Sequence, residues 1–482
     1  MGRESANPRQ GTILSICRTY GGKSLAQRGH RCSRRRRAAL PGRGRETGSD
    51  GPFLRLDGVR RVCLLSHPRP QNTAGGPLTP IAVLRETRLN RYTLNTLTAI
   101  LEACGVPWET ADSADAMVSR LRSAAGRGRA LALYSFMTPH LAAVRREVRA
   151  VRRAAPGARF LAGGAHPSAD SEGTLALGFD HVFTGEAERT LPAFLAAGAG
   201  GEPVLRDPCG GPGDLEGFPP FAAGRHGPVE LTRGCRYRCA FCAVRGGTVR
   251  HRSRASVLAA AESLLARGRP RVSFITPDAL SYGDDLAELE GLLGELTRLG
   301  VRPILGTFPS EVRPDRVTPE AVGVLGRHCG NRTLVMGAQS GSDAVLRRLG
   351  RGHTVEDVER AARTARRGGF TPHVDVIFGL PGETAPEQRA TADLVGRLRR
   401  ESGARIHAHH FYPLPGTALW GLEPAPLSDE ARSLLLALRG VGAEDGCWQA
   451  QERWAWRIVA WAGAGWIRTP PCARSTSPAL SR

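Results

Sequence analysis

Lysine is almost missing from this chain: in 482 residues whose lysines and arginines total 67, Lys23 is the single lysine. The formal net charge of +22 is therefore carried by arginine, which fits a GC-rich coding bias better than a surface built to hold phosphates. Contact with nucleic acid is the competing reading of that charge. No run of about 18 apolar residues occurs, as a membrane-spanning helix would require. The basic "RCSRRRR" at 31–37 is followed by "AALPGRGRE" and not by the apolar core of about 7–15 residues that a secretory signal needs. A soluble, cytoplasmic protein with no membrane partner is expected. The eleven cysteines lack the even number and regular spacing of a secreted disulfide framework, which leaves free thiols or metal ligands.

The chain is long enough for two ordinary domains, since single cores rarely exceed roughly 250–300 residues. Residues 1–56 have no periodic apolar face and are expected to be a disordered, arginine-rich segment. From there, short apolar runs alternate with helical ones. "RRVCLLSHP" (60–68), "ALALYSFMT" (130–138), "ARFLAGGAHP" (158–167) and "HVFTG" (181–185) predict buried parallel strands, with helices at 93–105 and 140–154. Residues 57–198 thus predict an α/β, doubly wound, flavodoxin-like domain, a fold that binds ligands at the carboxyl ends of its strands. Gly- and Pro-rich 199–227 predicts a linker. A second series follows, with strands at 228–234, 270–276, 301–309, 332–340, 371–380 and 405–415. Helical patterns separate them, among them 284–300 and 354–369, which Gly300 and Gly368 are placed to terminate. Six βα repeats over 228–425 predict a partial barrel, short of the usual eight. A helical extension (426–462), with Trp454, Ile458 and Trp461 on one face, and a disordered tail (463–482) complete the expectation.

The densest signal is "LTRGCRYRCAFCAVRGG" (231–247), which places Cys235, Cys239 and Cys242 on the loop after the first barrel strand, the end where barrels carry their chemistry. A structural zinc takes four ligands in paired short spacings, and no second pair follows at that distance. Three thiolates could hold an iron–sulfur cubane with one iron left open to a ligand.

The spacing Cys-x3-Cys-x-aromatic-Cys, with Phe241 as the aromatic, resembles the signature of the radical S-adenosylmethionine (radical SAM) enzymes. Further stretches resemble that family at the matching strand ends: "FITPDALSYG" (274–283), "FPSEVRP" (308–314), "MGAQSGSDAVLRRLGRGHT" (336–354), "VDVIFGLPGET" (374–384) and "HFYPLPGT" (410–417). The resemblance implies a 4Fe-4S cluster on the three cysteines and S-adenosylmethionine beside it. It would be contacted by Phe241, Thr276, Pro277, Ser310, Glu311, Arg313, Gln339, Ser340, Gly379 and Gly382. Glycines at 337, 341, 379 and 382 would let backbone approach a flat nucleoside. The serines and Gln339 offer hydrogen bonds, and Glu311 and Arg313 offer charge, although each also reads as a cap or turn residue. In that family the reduced cluster splits S-adenosylmethionine to generate a 5'-deoxyadenosyl radical.

An open α/β domain before such a barrel resembles the proteins described as cobalamin-binding domain/radical SAM domain, over roughly 57–440. The resemblance places Ser135 and Met137, in "LYSFMTP", and the pair Gly163–Gly164 against the cobalamin tail. One departure is plain. The cobalt-ligating Asp-x-His-x-x-Gly pattern is absent, since Asp180 and His181 are adjacent and fall on the last strand, so His181 is read as a hydrogen-bonded histidine. His67 is a weaker substitute. His407 and His409 share a strand face and could line the barrel mouth, but a metal there would need further ligands.

The expected function is a cobalamin-dependent radical SAM methyltransferase acting on a small molecule, served by an electron donor such as flavodoxin or ferredoxin, with no nucleic acid expected. A methylthiotransferase acting on RNA or protein is the alternative, though Cys63, Cys104 and Cys209 are not placed like the extra cluster ligands of that class. A non-catalytic cofactor- or nucleic-acid-binding protein is the remaining one.

Overall fold

The computed structural model describes residues 80–206, 215–244, 247–283 and 285–471. The expected strand at 60–68, with His67 and Cys63, lies outside these residues, as do Cys209 and the terminal segments 1–56 and 472–482.

The first described strand is one that the sequence patterning misses. β1 (Pro80–Arg85) begins at a proline that reads as a breaker, and β2 (Trp108–Ala111) shows no alternation because only Ala111 is buried. β3 (Arg129–Ser135), β4 (Arg159–Gly163) and β5 (His181–Thr184) fall where apolar runs predict them. β6 (Val204–Arg206) lies inside the expected linker and extends the sheet, a correction to the boundary at 198; three residues, two half-buried and one exposed, are too few to carry a period. All six strands are parallel, in the order β2-β1-β3-β4-β5-β6. Strand order reverses between β1 and β3, and the switch point of such a sheet is where loops part to admit a ligand. Helices α1 (Arg91–Ala103), α2 (Ala114–Ala125), α3 (Leu141–Ala154), α4 (Ala165–Ala169), α5 (Ser171–Ala176) and α6 (Ala187–Ala196) join the strands. Each long helix buries one stripe: Leu94, Thr98 and Leu101 on α1, Met117, Leu121 and Ala124 on α2, and Leu141, Val148 and Val151 on α3. Fully burying each leucine or valine contributes about 1.5–3 kcal/mol.

In the second half the expected first strand divides. β7 (Val229–Glu230) joins the barrel, while β8 (Thr232–Arg233) turns off to pair antiparallel with β9 (Arg250–His251). This lifts the cysteine loop over the barrel. β10 (Arg271–Ile275) and β11 (Arg302–Ile304) continue from β7, and β12 (Thr333–Gln339), β13 (Thr371–Phe378) and β14 (Arg405–His410) form the other half. The N–H of Val335 donates to Gly306 O, and that of Val312 to Val335 O, which joins the halves into one curved six-stranded wall. The intervening helices are α7 (Arg254–Ala266), α8 (Leu286–Arg298), α9 (Pro319–His328), α10 (Asp343–Arg348), α11 (Val355–Arg367) and α12 (Ala385–Ser402). Gly300 ends α8 with φ +87°; after α11 it is Gly369, at φ +80°, and not Gly368 that turns left-handed.

α13 (Asp429–Gly440) and α14 (Trp448–Gly463) form the expected extension. Ala455 and Ile458 of α14 share a core with strands β1 and β3 to β5, so this helix closes over the first sheet. The tail departs from expectation. Ile467 is buried, Trp466 stacks on Trp461, and Arg468 N–H, Thr469 N–H and the Thr469 hydroxyl all reach Asp170 Oδ1 at 3.0–3.1 Å. No described helix is long and apolar enough to cross a membrane.

Candidate cofactor cavity at the strand ends

The carboxyl ends of both sheets open onto one cavity of about 800 Å³. From the first sheet come the β1–α1 turn, with Arg88 and Leu89, and the ends of β3 and β4. Asn90 ties the two sides of the switch point together, its Nδ2 donating to Arg85 O at 2.8 Å and Ser135 O at 3.1 Å. Ser135, Met137, Gly163 and Gly164 all line the cavity. At Gly163 a Cβ would meet nothing closer than Phe183, 3.9 Å away, so the missing side chain leaves cavity space. Gly164 is held in a conformation closed to other residues, φ +98° and ψ −172°, and a Cβ there would come within 2.8 Å of Ser135 Oγ. The residues therefore form a smooth, glycine-floored cradle, which fits a large flat ligand such as cobalamin. No histidine lines the cavity among the described residues. His181 packs edge-on against Phe194 and bonds through Nδ1 to Glu202 O at 3.0 Å, as read from sequence.

From the barrel side come Cys235, Cys239 and Cys242, all free thiols, with Cys239 buried and the other two half-buried. Burial pushes the Cys242 thiol up to about 11, against the opposing N–H of Val244, and burial likewise raises Cys235. Arg351, buried beside them, places Nη1 3.3 Å from Cys239 Sγ. A set of three thiolates fits an iron–sulfur cubane, which keeps one iron without a protein ligand.

Of the residues expected around S-adenosylmethionine, Phe241, Thr276, Pro277, Glu311, Arg313 and Gln339 line the cavity. Ser310, Ser340, Gly379 and Gly382 do not. Ser310 Oγ donates to Thr307 O, and Ser340 Oγ pairs with Thr391 Oγ1, so both hydroxyls brace loops. Gly379 makes room for the His410 ring and Ala425 O. Two lining residues are poised for a polar ligand. Arg313 is 4% exposed and stacks on Tyr237, 3.6 Å from the ring centroid; its Nη2 donates to Arg351 O at 2.7 Å, while Nη1 has no partner among the described residues. Gln339 adopts φ +72° where the β12–β13 register slips, and its buried Oε1 also lacks a partner. Strain of this kind at a strand end persists where surrounding structure imposes it, a feature of functional sites.

Arg233, one residue before the cysteine loop begins at Gly234, bonds at 2.7–3.0 Å to Glu186, Glu188 and Glu230. Glu186 also takes Arg250. Burial opposes the Arg233 charge, but hydrogen bonds and charge from Glu230 and Glu188 outweigh it and hold the guanidinium protonated. This clasp fixes the end of β5 and the start of α6 to the strand that launches the cysteines. Arg351, Tyr237 and the clasp are missing from the sequence expectation, because none of them stands at a motif spacing. His407 and His409 do not line the cavity; both are buried on β14.

The model of the radical SAM superfamily matches residues 229–395, and that of the B12 binding domain matches residues 85–195. The fold is similar to that of the radical S-adenosylmethionine methyltransferase TsrM from Kitasatospora setae, with TM-score 0.55 and 20% identity over 71% of this chain and 77% of that one. It is also similar to the cobalamin-dependent S-adenosylmethionine radical enzyme OxsB, with TM-score 0.54 and 15% identity over 66% and 52%. Among curated relatives, an uncharacterised protein of Methanopyrus kandleri is 28% identical over 43% of this chain and 42% of its own length. The ribosomal protein uS12 methylthiotransferase of Heliobacterium modesticaldum is 30% identical over 36% and 38%. A tRNA-2-methylthio-N(6)-dimethylallyladenosine synthase of Geobacter sulfurreducens is 31% identical over 43% and 47%. The chain thus spans less than half the length of these curated relatives.

Proposed function

This chain is a radical SAM superfamily member with a B12-binding domain ahead of its barrel, and from that premise we propose that it transfers a methyl group to a small molecule held in the cavity between the two sets of strand ends. The observation that carries the reading is the single cavity, onto which Ser135, Met137, Gly163 and Gly164 open from one side and Cys235, Cys239 and Cys242 from the other. A substrate there lies within reach of both cofactor positions, the proximity a two-cofactor reaction needs. When bound, the 4Fe-4S cluster and S-adenosylmethionine supply hydrogen abstraction by a carbon radical, and cobalamin supplies methyl carriage.

The chain's own residues bind and orient. The three thiolates hold the cluster, and Arg351 neutralises the buried charge at Cys239. Arg313, whose Nε already pairs with Asp315 at 3.0 Å, keeps Nη1 without a partner among the described residues and is placed to receive a carboxylate, and Gln339 Oε1 to accept from an amine or hydroxyl. Phe241 and Tyr237 shield the cluster side from water. An electron donor such as flavodoxin or ferredoxin would dock where the half-exposed Cys242 loop meets solvent.

The test is stoichiometric. Anaerobically reconstituted protein should bind about four irons and, with cobalamin and the correct substrate, form 5'-deoxyadenosine and S-adenosylhomocysteine in equal amounts. Cys239→Ala should abolish iron binding and S-adenosylmethionine cleavage together. Unchanged iron in that variant removes the assignment, and absence of S-adenosylhomocysteine removes methyl transfer. The names of two relatives favour a second reading, methylthiolation of tRNA or a ribosomal protein, so the expectation that nucleic acid is no partner lacks support. Salt-dependent RNA binding and a sulfur-containing mass gain on RNA would select that reading.

A further inference from the structure

Within the barrel lies a second group of donor atoms that the cavity does not use. β13 and β14 pair in parallel with Asp375 opposite His407 and Ile377 opposite His409. Side chains alternate along a strand, so His373 shares the face of Asp375, which lines the cavity, and that face is the barrel's inner one. Beyond β14 the chain returns after α13 and runs along the open strand edge. Glu444 bridges to Ile406, and the N–H of Asp445 donates to Ile406 O at 3.1 Å. This run brings the Asp445 carboxylate against both imidazoles. Oδ1 lies 2.7 Å from His407 Nδ1 and 3.2 Å from His373 Nε2, and one donor atom from each of the three residues falls within 4.8 Å of the others. His407 is fully buried and His373 nearly so. Arg405 bonds the other carboxylate oxygen, Oδ2, at 3.2 Å and so orients Oδ1 inward.

We propose that His373, His407 and Asp445 form a binding site for a divalent transition-metal ion, with zinc(II) as the occupant its chemistry favours. Around a tetrahedral ion with bonds of about 2.0–2.1 Å, neighbouring donor atoms stand roughly 3.3 Å apart. The two measured separations need only small adjustments to reach that geometry. Two imidazoles with one carboxylate suit zinc and its first-row neighbours, whereas calcium and magnesium take oxygen sets. Arg405 supplies the outer contact that fixes a ligating carboxylate. The site holds no sulfur and is separate from the cysteine loop. It ties β13, β14 and the returning edge segment level with and just below the cavity-lining Asp375, where a partial barrel has an open edge to secure. With three protein ligands the fourth position of the tetrahedron falls to a water, and the metal staples closed the side that eight strands would close by themselves.

Zinc is the probe, and the full-length protein with its cluster reconstituted without oxygen, so that the cysteines are occupied, is the sample. Zinc and iron per chain are measured after dialysis for the wild type, Asp445→Asn and His373→Gln, with circular dichroism to establish that each variant is folded. The wild type should hold about one zinc per chain besides the cluster iron, and each variant should bind zinc at least about tenfold more weakly with iron unchanged. Cobalt(II) in place of zinc should give a ligand-field spectrum without sulfur-to-cobalt charge transfer, a readout that needs no variant to fold. A wild type that retains no zinc, variants that retain it undiminished, or a thiolate charge-transfer band would each overturn the proposal.

Discussion

Gly164 offers the sharpest test of how the first sheet shapes its ligand site. Its φ of +98° with ψ −172° is a region that essentially only glycine occupies, and holding another residue there costs of order 1–3 kcal/mol. An alanine Cβ would also stand 2.8 Å from Ser135 Oγ, 3.0 Å from Phe136 O and 3.1 Å from Phe136 N. Ser135 could rotate away, but Phe136 cannot. Its N–H donates to Gly163 O and its carbonyl accepts from His166 N–H, both at 3.2 Å. Crowding against fixed backbone adds roughly 1–3 kcal/mol, so Gly164→Ala should lose about 2–6 kcal/mol in total, a large share of a typical domain's 5–15 kcal/mol. Gly163→Ala is the control. Its Cβ meets only an ordinary contact at 3.9 Å, and its stability should stay within about 0.5 kcal/mol of the wild type. Gly163→Leu should remain folded yet fill the cradle and lose cobalamin. Urea unfolding of the cofactor-free protein reads the first two, and cobalamin absorbance after gel filtration reads the third. Equal unfolding midpoints for Gly164→Ala and Gly163→Ala would refute the backbone argument.

Arg233→Met should leave Glu186, Glu188 and Glu230 facing one another with Arg250 and Arg252 as the cations still nearby, lowering stability by about 1–3 kcal/mol after allowance for partial exposure and lowering S-adenosylmethionine cleavage at unchanged iron content. Unchanged cleavage would mean that the clasp does not set the cysteine loop. Glu383 is pushed up to about 8 by burial, against the N–H groups of Gly379 and Leu380. A carboxyl raised in the folded state contributes stability that is full below the ordinary value of 4.5 and is lost as pH rises through about 8. Unfolding midpoints should therefore decline across that window, and Glu383→Gln should flatten the decline; an identical pH profile in the variant would count against it. Truncation after Gly463 should destabilise the protein by at least about 1.5–3 kcal/mol through exposure of the Ile467 site, measured as the unfolding midpoint, with no change expected if the contacts to Asp170 are idle.

The local chemistry of the sequence determined most of the architecture. Long apolar runs such as 130–138 and 371–380 have few ways to bury themselves other than as central parallel strands, and three cysteines spaced by three and two residues constrain their ligand before any fold is known. Short and edge elements were not legible. β2 and β6 bury too little to show a period, and β1 starts at a proline whose missing N–H matters only once its neighbours are known. At the site, Ser310 and Ser340 spend their hydroxyls on Thr307 and Thr391, and Gly379 and Gly382 do not line the cavity, since a strand-end motif does not say which residues face the cavity and which brace a loop. Arg351, placed at Cys239 from 112 residues away, and the clasp at Arg233 depend on contacts between distant segments, which sequence spacing does not encode. The same holds within the barrel. His407 has too few neighbouring donors in the sequence, and it is the chain returning along β14 that brings Asp445 to it, with β13 placing His373 alongside. Residue types and local periods fix which elements form; only the closing of the sheets decides which donors meet.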